Sequence, residues 1–370
     1  MTFAFTSEQE ELRTTVRRFL ESRSPESAVR RLMETKEGYD PAVWAEMAGM
    51  GLQGLAVPEE YGGSGYGFGE LAVVFEELGR ALLCAPFFAT VGLAAQALVL
   101  AGDDVIAKEL LPGIASGETI ATLAVTEPDG RWDPSSIATQ ATRTGSDWRL
   151  SGTKDFVIDG QAAHLLLVLA TTPDGLGLFA VDTSTEGVRR EPLSTVDLTR
   201  KLSRVMFAEA SARLVGEIGA AWPVVEATYD RACVALALEQ LGGAQRCLDM
   251  LVDYSKVRMQ FGRVIGSFQA VKHRCAKMLV AIEGAKSAAY YAANAAATNA
   301  DDVPLAASLA KEHCSRVFAE VAQENIQGHG GIGFTWEHPA HLYLKRAKSG
   351  ELLLGTAATH RDRLGALLDI

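Results

Sequence analysis

The chain is poor in cysteine, has fewer cations than anions, and carries no apolar leader. Each shortage excludes something. Five cysteines in 370 residues, Cys84, Cys233, Cys247, Cys275 and Cys314, are odd in number and show neither CxxC nor Cys/His ligand spacing. That argues against a disulfide framework and a structural zinc, so no metal is expected and a reducing cytoplasm fits best. Lys plus Arg number 35 against 46 Asp plus Glu, a net charge of -11. A field of that sign repels polyphosphate, which excludes a generic nucleic-acid binder. The first residues, MTFAFTSEQEELRTTVRRFL, are charged from Glu8 onward and offer no signal-peptide core. The 22 residues from Ala81 to Gly102 carry no charge, but Pro86 interrupts them and the remainder is short for a span. No membrane partner is expected; the stretch reads as two buried core helices.

What is present is 48% hydrophobic residues in helical and strand periods, enough for two or three domains. Ser7 followed by Glu10 has capping-box spacing, with Leu12, Val16, Phe19 and Leu20 recurring on one face. Helical runs follow at Pro41 to Met50, Leu71 to Leu83 and Gly92 to Leu100, so residues 1–115 read as an N-terminal helical domain. Residues 116–217 change to short β-type runs bounded by Gly, Asp and Pro, the texture of an antiparallel barrel or sandwich. Residues 218–370 return to long Ala/Leu-rich helices, Trp222 to Val257, Phe268 to Asn294, Val303 to Gln327 and His338 to Lys348, joined briefly as in a four-helix bundle. The fold class is thus α+β and multi-domain.

Charge is unevenly spread. Between Asp253 and Glu283 lie six cations, Lys256, Arg258, Arg263, Lys272, Arg274 and Lys277, and no acid. Such a run is either a solvated helix face or a phosphate site, since Arg offers paired donors to phosphate oxygens. Gln327-Gly-His-Gly-Gly-Ile-Gly333 closes a long helix with glycines that either end it locally or let an anion approach the backbone.

With TEP at Thr126 to Pro128, PEEYGGSG at Pro58, RMQFGRVIGSFQ at Arg258 to Gln269 and QGHGGIGF at Gln327, the chain resembles the acyl-CoA dehydrogenase family, in particular its actinobacterial-type members, over nearly its whole length. The resemblance implies FAD, an acyl-CoA substrate, electron-transferring flavoprotein as acceptor, and an oligomer, commonly a tetramer. It places Val125, Thr126, Phe156 and Ile158 beside the flavin ring. Arg258, Gln260, Phe261 and Gln269 match the segment that reaches the dinucleotide across the dimer interface, Gln327, Gly330 and Gly331 the pyrophosphate and adenine contact, and Thr356 the Gly-Thr turn.

The departures are chemical. The family's Gly-Ala-Gly-Ser-Asp type loop reads Asp129-Gly-Arg-Trp-Asp-Pro-Ser135, with Ser135 and Ser136 as candidates for its serine, and Ile158 lacks the hydroxyl that many members offer the flavin. Lys345-Arg346 replaces an Arg-Asp pair. The reaction removes an α-proton while a β-hydride passes to flavin, which needs a carboxylate base in a dry pocket. In many members it precedes Gly-Thr, where this chain has Leu354; in others it stands at the position of Ala232. Glu239, seven residues on and on nearly the same face, is either a relocated base or a buried partner for Arg274 or Lys277. Asp230 and Glu351 are further candidates. Two readings follow: an FAD-dependent acyl-CoA dehydrogenase with a relocated base, for fatty acid or steroid side-chain thioesters, or a non-catalytic subunit that pairs with a base-bearing paralogue. A flavin monooxygenase of the same fold is a third.

Overall fold

The structure is a computed structural model that describes residues 5–145 and 147–370. Six α-helices precede the first strand among the described residues: α1 (Ser7–Arg23), α2 (Glu26–Met33), α3 (Pro41–Gly49), α4 (Phe68–Arg80), α5 (Ala95–Leu100) and α6 (Asp104–Ala115). Thr6, not Ser7, caps α1: its hydroxyl accepts from the Gln9 amide at 3.2 Å, and Gln9 Oε1 accepts from the Thr6 amide at 3.0 Å. The box lies one residue earlier than expected because Gln closes it as well as Glu. The uncharged run holds one helical stretch rather than two. A π-type turn over Phe88–Ala94 continues directly into α5, buried as far as Leu98. Its Thr90 hydroxyl donates to the Ala121 carbonyl at 3.0 Å, a bond that fixes this stretch to the first strand. Among the described residues no helix is long and apolar enough to cross a membrane.

The strands β1 (Ala121–Ala124), β2 (Gln140–Thr144), β3 (Asp147–Ile158), β4 (Leu165–Thr172), β5 (Gly175–Asp182), β6 (Val188–Pro192) and β7 (Leu202–Val215) form one sheet. β3 and β7 make its long antiparallel pair, and β4 and β5 a hairpin. The sheet is mixed where an antiparallel one was expected: β1 runs parallel to β4, with Ala121 opposite Leu165, and β2 meets β4 in parallel at Gln140 and Thr171. The chain leaves β1 through a long loop instead of a hairpin, which permits parallel pairing. β4, LLLVLATT, is almost wholly buried, as a strand with neighbours on both sides should be.

Helix α7 (Ala221–Val257) is followed by the tiny hairpin β8 (Met259–Gln260) and β9 (Arg263–Val264), then α8 (Gln269–Thr298), α9 (Val303–His329), α10 (Ala340–Leu352) and α11 (Ala357–Leu367). α9 packs against α8, α10 and α11. α2, α6 and α11 are helices that the sequence reading did not announce. All five cysteines are free, Cys275 half-buried and the others buried.

The chain divides into two compact units. One holds the chain up to Arg30, Phe68–Leu83 and Cys233–Ile370; the other holds Arg31–Gly67 and Cys84–Ala232. The first is a helical unit with a core around Phe75, Leu236, Leu251 and Phe318. Within it α4 and α7 cross backbone to backbone. A side chain at Gly242 would stand 1.9 Å from the Glu76 carbonyl, and one at Gly79 2.0 Å from the Glu239 carbonyl. The glycines are the condition of that close crossing. The second unit carries the sheet, with a core around Phe87, Leu98, Val168 and Phe179.

Candidate functional site

In the sheet unit the residues expected beside a flavin ring are held by a buried ion pair that sequence reading missed. Lys154 Nζ, 0% exposed, donates to the Val125 carbonyl at 3.0 Å and to Glu127 Oε1 at 2.7 Å. The Glu127 carboxylate also accepts from the Ala138 and Thr139 amides, both at 2.9 Å, which closes the loop between β1 and β2. Burial alone would raise the Glu127 pKa, but Lys154 and the two amides outweigh it and hold it below the usual carboxylate range. Burial pulls the Lys154 ammonium down to about 8, against the opposing pull of Glu127. Thr126 is pinned from the other side, its carbonyl accepting from the Asp155 amide at 2.9 Å. Its hydroxyl makes no hydrogen bond among the described residues.

The next residues sit on a β-bulge, where the β3–β7 register shifts between Lys154 and Val157. Phe156 there has φ +57° and lies 47% exposed. A bulge re-aims a side chain, and an aromatic ring held in the left-handed region and left in the open is a strained arrangement that packing inside the unit does not explain. Ile158 faces inward and its carbonyl accepts the Thr122 hydroxyl at 2.7 Å.

The loop Asp129–Ser136 is braced by its own acids. Asp129 Oδ1 accepts from the Arg131 amide at 3.1 Å; Asp133 Oδ1 accepts from the Ser135 amide and hydroxyl, both at 2.8 Å. The Ser136 hydroxyl donates to the Asp133 carbonyl at 2.7 Å. Both candidate serines therefore spend their protons inside the turn. Counted from Thr126-Glu127-Pro128, the serine of a Gly-Ala-Gly-Ser-Asp loop falls on Trp132, whose ring lies tilted against Tyr229 at 3.6 Å and 5.5 Å from Trp222, centroid to centroid.

The helical unit holds the other expected residues. Arg258, Gln260 and Phe261 lie on an exposed arm made by the β8–β9 hairpin, with Phe261 (φ +51°) and Gly262 (φ +77°) forming its two-residue turn. Phe261 is 90% exposed, its ring centroid 6.1 Å from that of Phe268 in an edge-to-face arrangement, and Arg263 lies over the Phe268 ring at 4.0 Å. Gln269 opens α8 and is also exposed. Of the six clustered cations, Lys256 pairs with Asp253 and Arg274 with Glu324, whereas Arg258, Arg263, Lys272 and Lys277 make no ion pair among the described residues. At the end of α9, Gln327, Gly330 and Gly331 are exposed, and side chains at the two glycines would meet nothing within 4 Å. Free guanidinium groups, open glycine backbone and exposed rings fit a dinucleotide with a flat ring system. Thr356 caps α11, its hydroxyl accepting from the Thr359 amide at 3.2 Å.

No carboxylate stands at either place that the resemblance gives the base. Leu354 occupies one, at φ +59°, and Ala232, fully buried, the other. Glu239 is 8% exposed with its carboxylate 3.9 Å from Arg346 of α10. Its cation is neither Arg274, which is paired with Glu324, nor Lys277: the arginine that breaks the expected Arg-Asp pair supplies it. Behind Leu354 the turn is clamped. His360 Nε2 lies 2.9 Å from the Leu354 carbonyl, and the buried Lys311 ammonium donates to the Gly355 carbonyl at 3.0 Å and to Ser315 Oγ at 2.9 Å. Burial lowers the pKa of Lys311. Its signal in the sequence, one lysine in the Ala-rich run ASLAKEHCS, is indistinct from a solvent-facing residue.

Three family matches cover the chain end to end: "Acyl-CoA dehydrogenase, N-terminal domain" over residues 6–118, "middle domain" over 122–208 and "C-terminal domain" over 219–368. The chain belongs to the acyl-CoA dehydrogenase family. The family's members are FAD-dependent enzymes that oxidise acyl-CoA thioesters. Among similar proteins, acyl-CoA dehydrogenase IpdE2 of Mycolicibacterium smegmatis is 36% identical over 360 residues, 97% of this chain and 98% of that one. Among solved structures, a variant of the Tcur3481-Tcur3483 steroid ACAD superposes with a TM-score of 0.87 at 34% identity, covering 98% of both chains. The ChsE4-ChsE5 complex from Mycobacterium tuberculosis gives 0.90 at 29%, covering 100% of this chain and 99% of that one.

Proposed function

We propose that this acyl-CoA dehydrogenase chain is the base-less half of a two-component enzyme. It contributes flavin and interface contacts, and a family partner supplies the glutamate that removes the α-proton. The observation that carries this is the pair of empty positions, Leu354 and Ala232, together with a Glu239 that is buried 3.9 Å from Arg346. A base must reach the α-proton. Glu239 is instead part of a packed helix crossing, which speaks against the relocated-base reading. Two similar solved structures are named as pairs of different components, which supports the two-chain arrangement.

FAD, when bound, supplies the hydride acceptor. On this chain, Phe156 and the Val125–Thr126 backbone would flank its ring. Arg258, Gln260, Phe261 and Gln269 would reach the dinucleotide of a neighbouring subunit, and Gln327, Gly330 and Gly331 its diphosphate and adenine end. Thr356 would stand at the Gly-Thr turn with a hydroxyl that accepts from the Thr359 amide and lies 2.9 Å from the Thr359 hydroxyl. The name of the steroid ACAD extends the proposal to a bulky, polycyclic acyl-CoA. Electron-transferring flavoprotein as acceptor, a tetramer of two such pairs, and the cytoplasm complete it. The test is to purify the chain alone and with a glutamate-bearing family partner, then add acyl-CoA anaerobically. Flavin bleaching only in the pair supports the proposal; full bleaching by the chain alone overturns it.

A further inference from the structure

The helical unit holds a cleft of about 260 Å³ that the proposed function does not use. It opens where the end of α1, the start of α2, the end of α4 and the middle of α7 meet the first residues of α10. Its floor is apolar, with Leu20, Val29, Leu82 and Met250 all buried. Its wall is cationic in part: three arginines from three helices, Arg17, Arg80 and Arg246, line the same space. Arg17 is held by the buried Glu77 carboxylate through two bonds of 2.9 and 2.6 Å, and Arg80 by Asp249 at 2.6 Å. Arg246, half-buried, makes no ion pair among the described residues. Its neighbour is the buried phenol of Tyr343, which donates to the Arg80 carbonyl at 2.7 Å. Burial raises the pKa of that phenol, and Arg246 beside it opposes the rise.

A guanidinium cannot shed its charge, and one that lines a half-closed cleft without a carboxylate is costly until an anion joins it. Arg17 and Arg80 are neutralised and fixed by their acids, so they form a rigid polar wall; Arg246 supplies the unmatched charge. The other lining residues limit the ligand. Exposed Glu21 also faces the cleft and disfavours a second negative charge, while Glu26 is taken by Arg30 at 2.7 Å. At about 30 Å³ for a water-sized group, the space admits roughly nine of them. A phosphate dianion would meet Glu21 and leave the apolar floor bare, whereas one carboxylate on a short apolar tail satisfies Arg246 and covers the floor. We propose that this cleft binds a small monocarboxylic acid in its anionic form, with Arg246 as the charge partner and the buried apolar side chains under its tail. None of the lining residues is among those matched to flavin or base, and the proposal stands independently of the two-component reading.

The test is a calorimetric titration of the full chain, alone and in any complex it forms, with hexanoate as the probe. Saturable binding is expected. Hexanamide, which keeps the size without the charge, and inorganic phosphate, which keeps the charge without the tail, should each bind at least about tenfold more weakly. Arg246→Gln should weaken hexanoate by about ten- to hundredfold, and Arg246→Lys by less. Ser24→Phe, which fills the cleft and leaves every arginine in place, should abolish binding. Melting temperatures confirm that each variant is folded, and if Arg246→Gln is not, Ser24→Phe decides. Prior saturation with S-hexyl coenzyme A, a thioether that the flavin chemistry cannot oxidise, should leave the hexanoate affinity unchanged; competition would place hexanoate in the thioester site and overturn the proposal. So would the absence of saturable binding up to about 10 mM, phosphate binding more tightly than hexanoate, or unweakened binding in either folded variant.

Discussion

Phe156 and Leu354 share a backbone anomaly and differ in what they do with it. Both are non-glycine residues in the left-handed region, φ +57° and +59°, a conformation that costs an L-residue about 1–2 kcal/mol. Around each, buried cations fix the neighbouring carbonyls: Lys154 holds Val125 near Phe156, and Lys311 holds Gly355 beside Leu354. At Phe156 the strain presents an exposed ring suited to a flavin face. At Leu354 it presents an alkyl chain where the family's reaction calls for a carboxylate. On the proposed reading, the cofactor side has kept its chemistry and the base side only its geometry.

The widest way to break that contrast is to ask which chain removes the proton. In the pair, replacing the partner's base glutamate with glutamine should cut acyl-CoA-dependent flavin reduction by about 10²–10⁴-fold, whereas Glu239→Gln in this chain should leave the rate within a few-fold. Stopped-flow absorbance reads both. Next in size is the latch at the flavin edge. Lys154→Met leaves Glu127 buried without its cation and should cost about 3–5 kcal/mol in urea unfolding, with flavin lost well before the transition.

The two strained positions can then be compared directly. Glycine relieves both, so Leu354→Gly and Phe156→Gly should each shift the apoprotein's stability by up to about 1 kcal/mol in the favourable direction, less the entropy of the freed residue. Only Phe156→Gly should weaken flavin retention, by about tenfold, the worth of one aromatic stack. Equal flavin loss in both variants would erase the contrast.

A pH-dependent effect away from both strained positions concerns His338, which burial, the neighbouring His329 ring at 4.2 Å and nearby cations push down to about 4. Folding then prefers the neutral ring. Its contribution is complete above about pH 6.5 and is lost as the pH falls toward 4, because the unfolded chain takes up the proton first. His338→Gln should flatten stability against pH in that window, measured by thermal melts in matched buffers.

Much of this was legible before the structure, for reasons that the residues make plain. The helices α7, α8 and α9 are long enough for their apolar period to dominate, and the cationic run and the glycine turn are local in sequence. The Lys154–Glu127 pair was not legible because it joins residues 27 positions apart through a bulge that breaks strand alternation. The Trp132 contact was hidden for a related reason, since the partners of a loop residue are set by the turn that carries it. The anomaly at Glu239 could be read as a buried carboxylate needing a cation, but not which one. Arg346 lies on a helix whose facing residues depend on the tertiary crossing.

The central claim, that this chain serves the flavin and a partner serves the proton, is tested most directly by anaerobic reduction of the purified pair with an acyl-CoA, using a partner whose base glutamate is replaced by glutamine. The account predicts a complex that keeps its flavin and its pairing but does not bleach. Bleaching at the unmodified rate would show that this chain carries a base of its own and would contradict it.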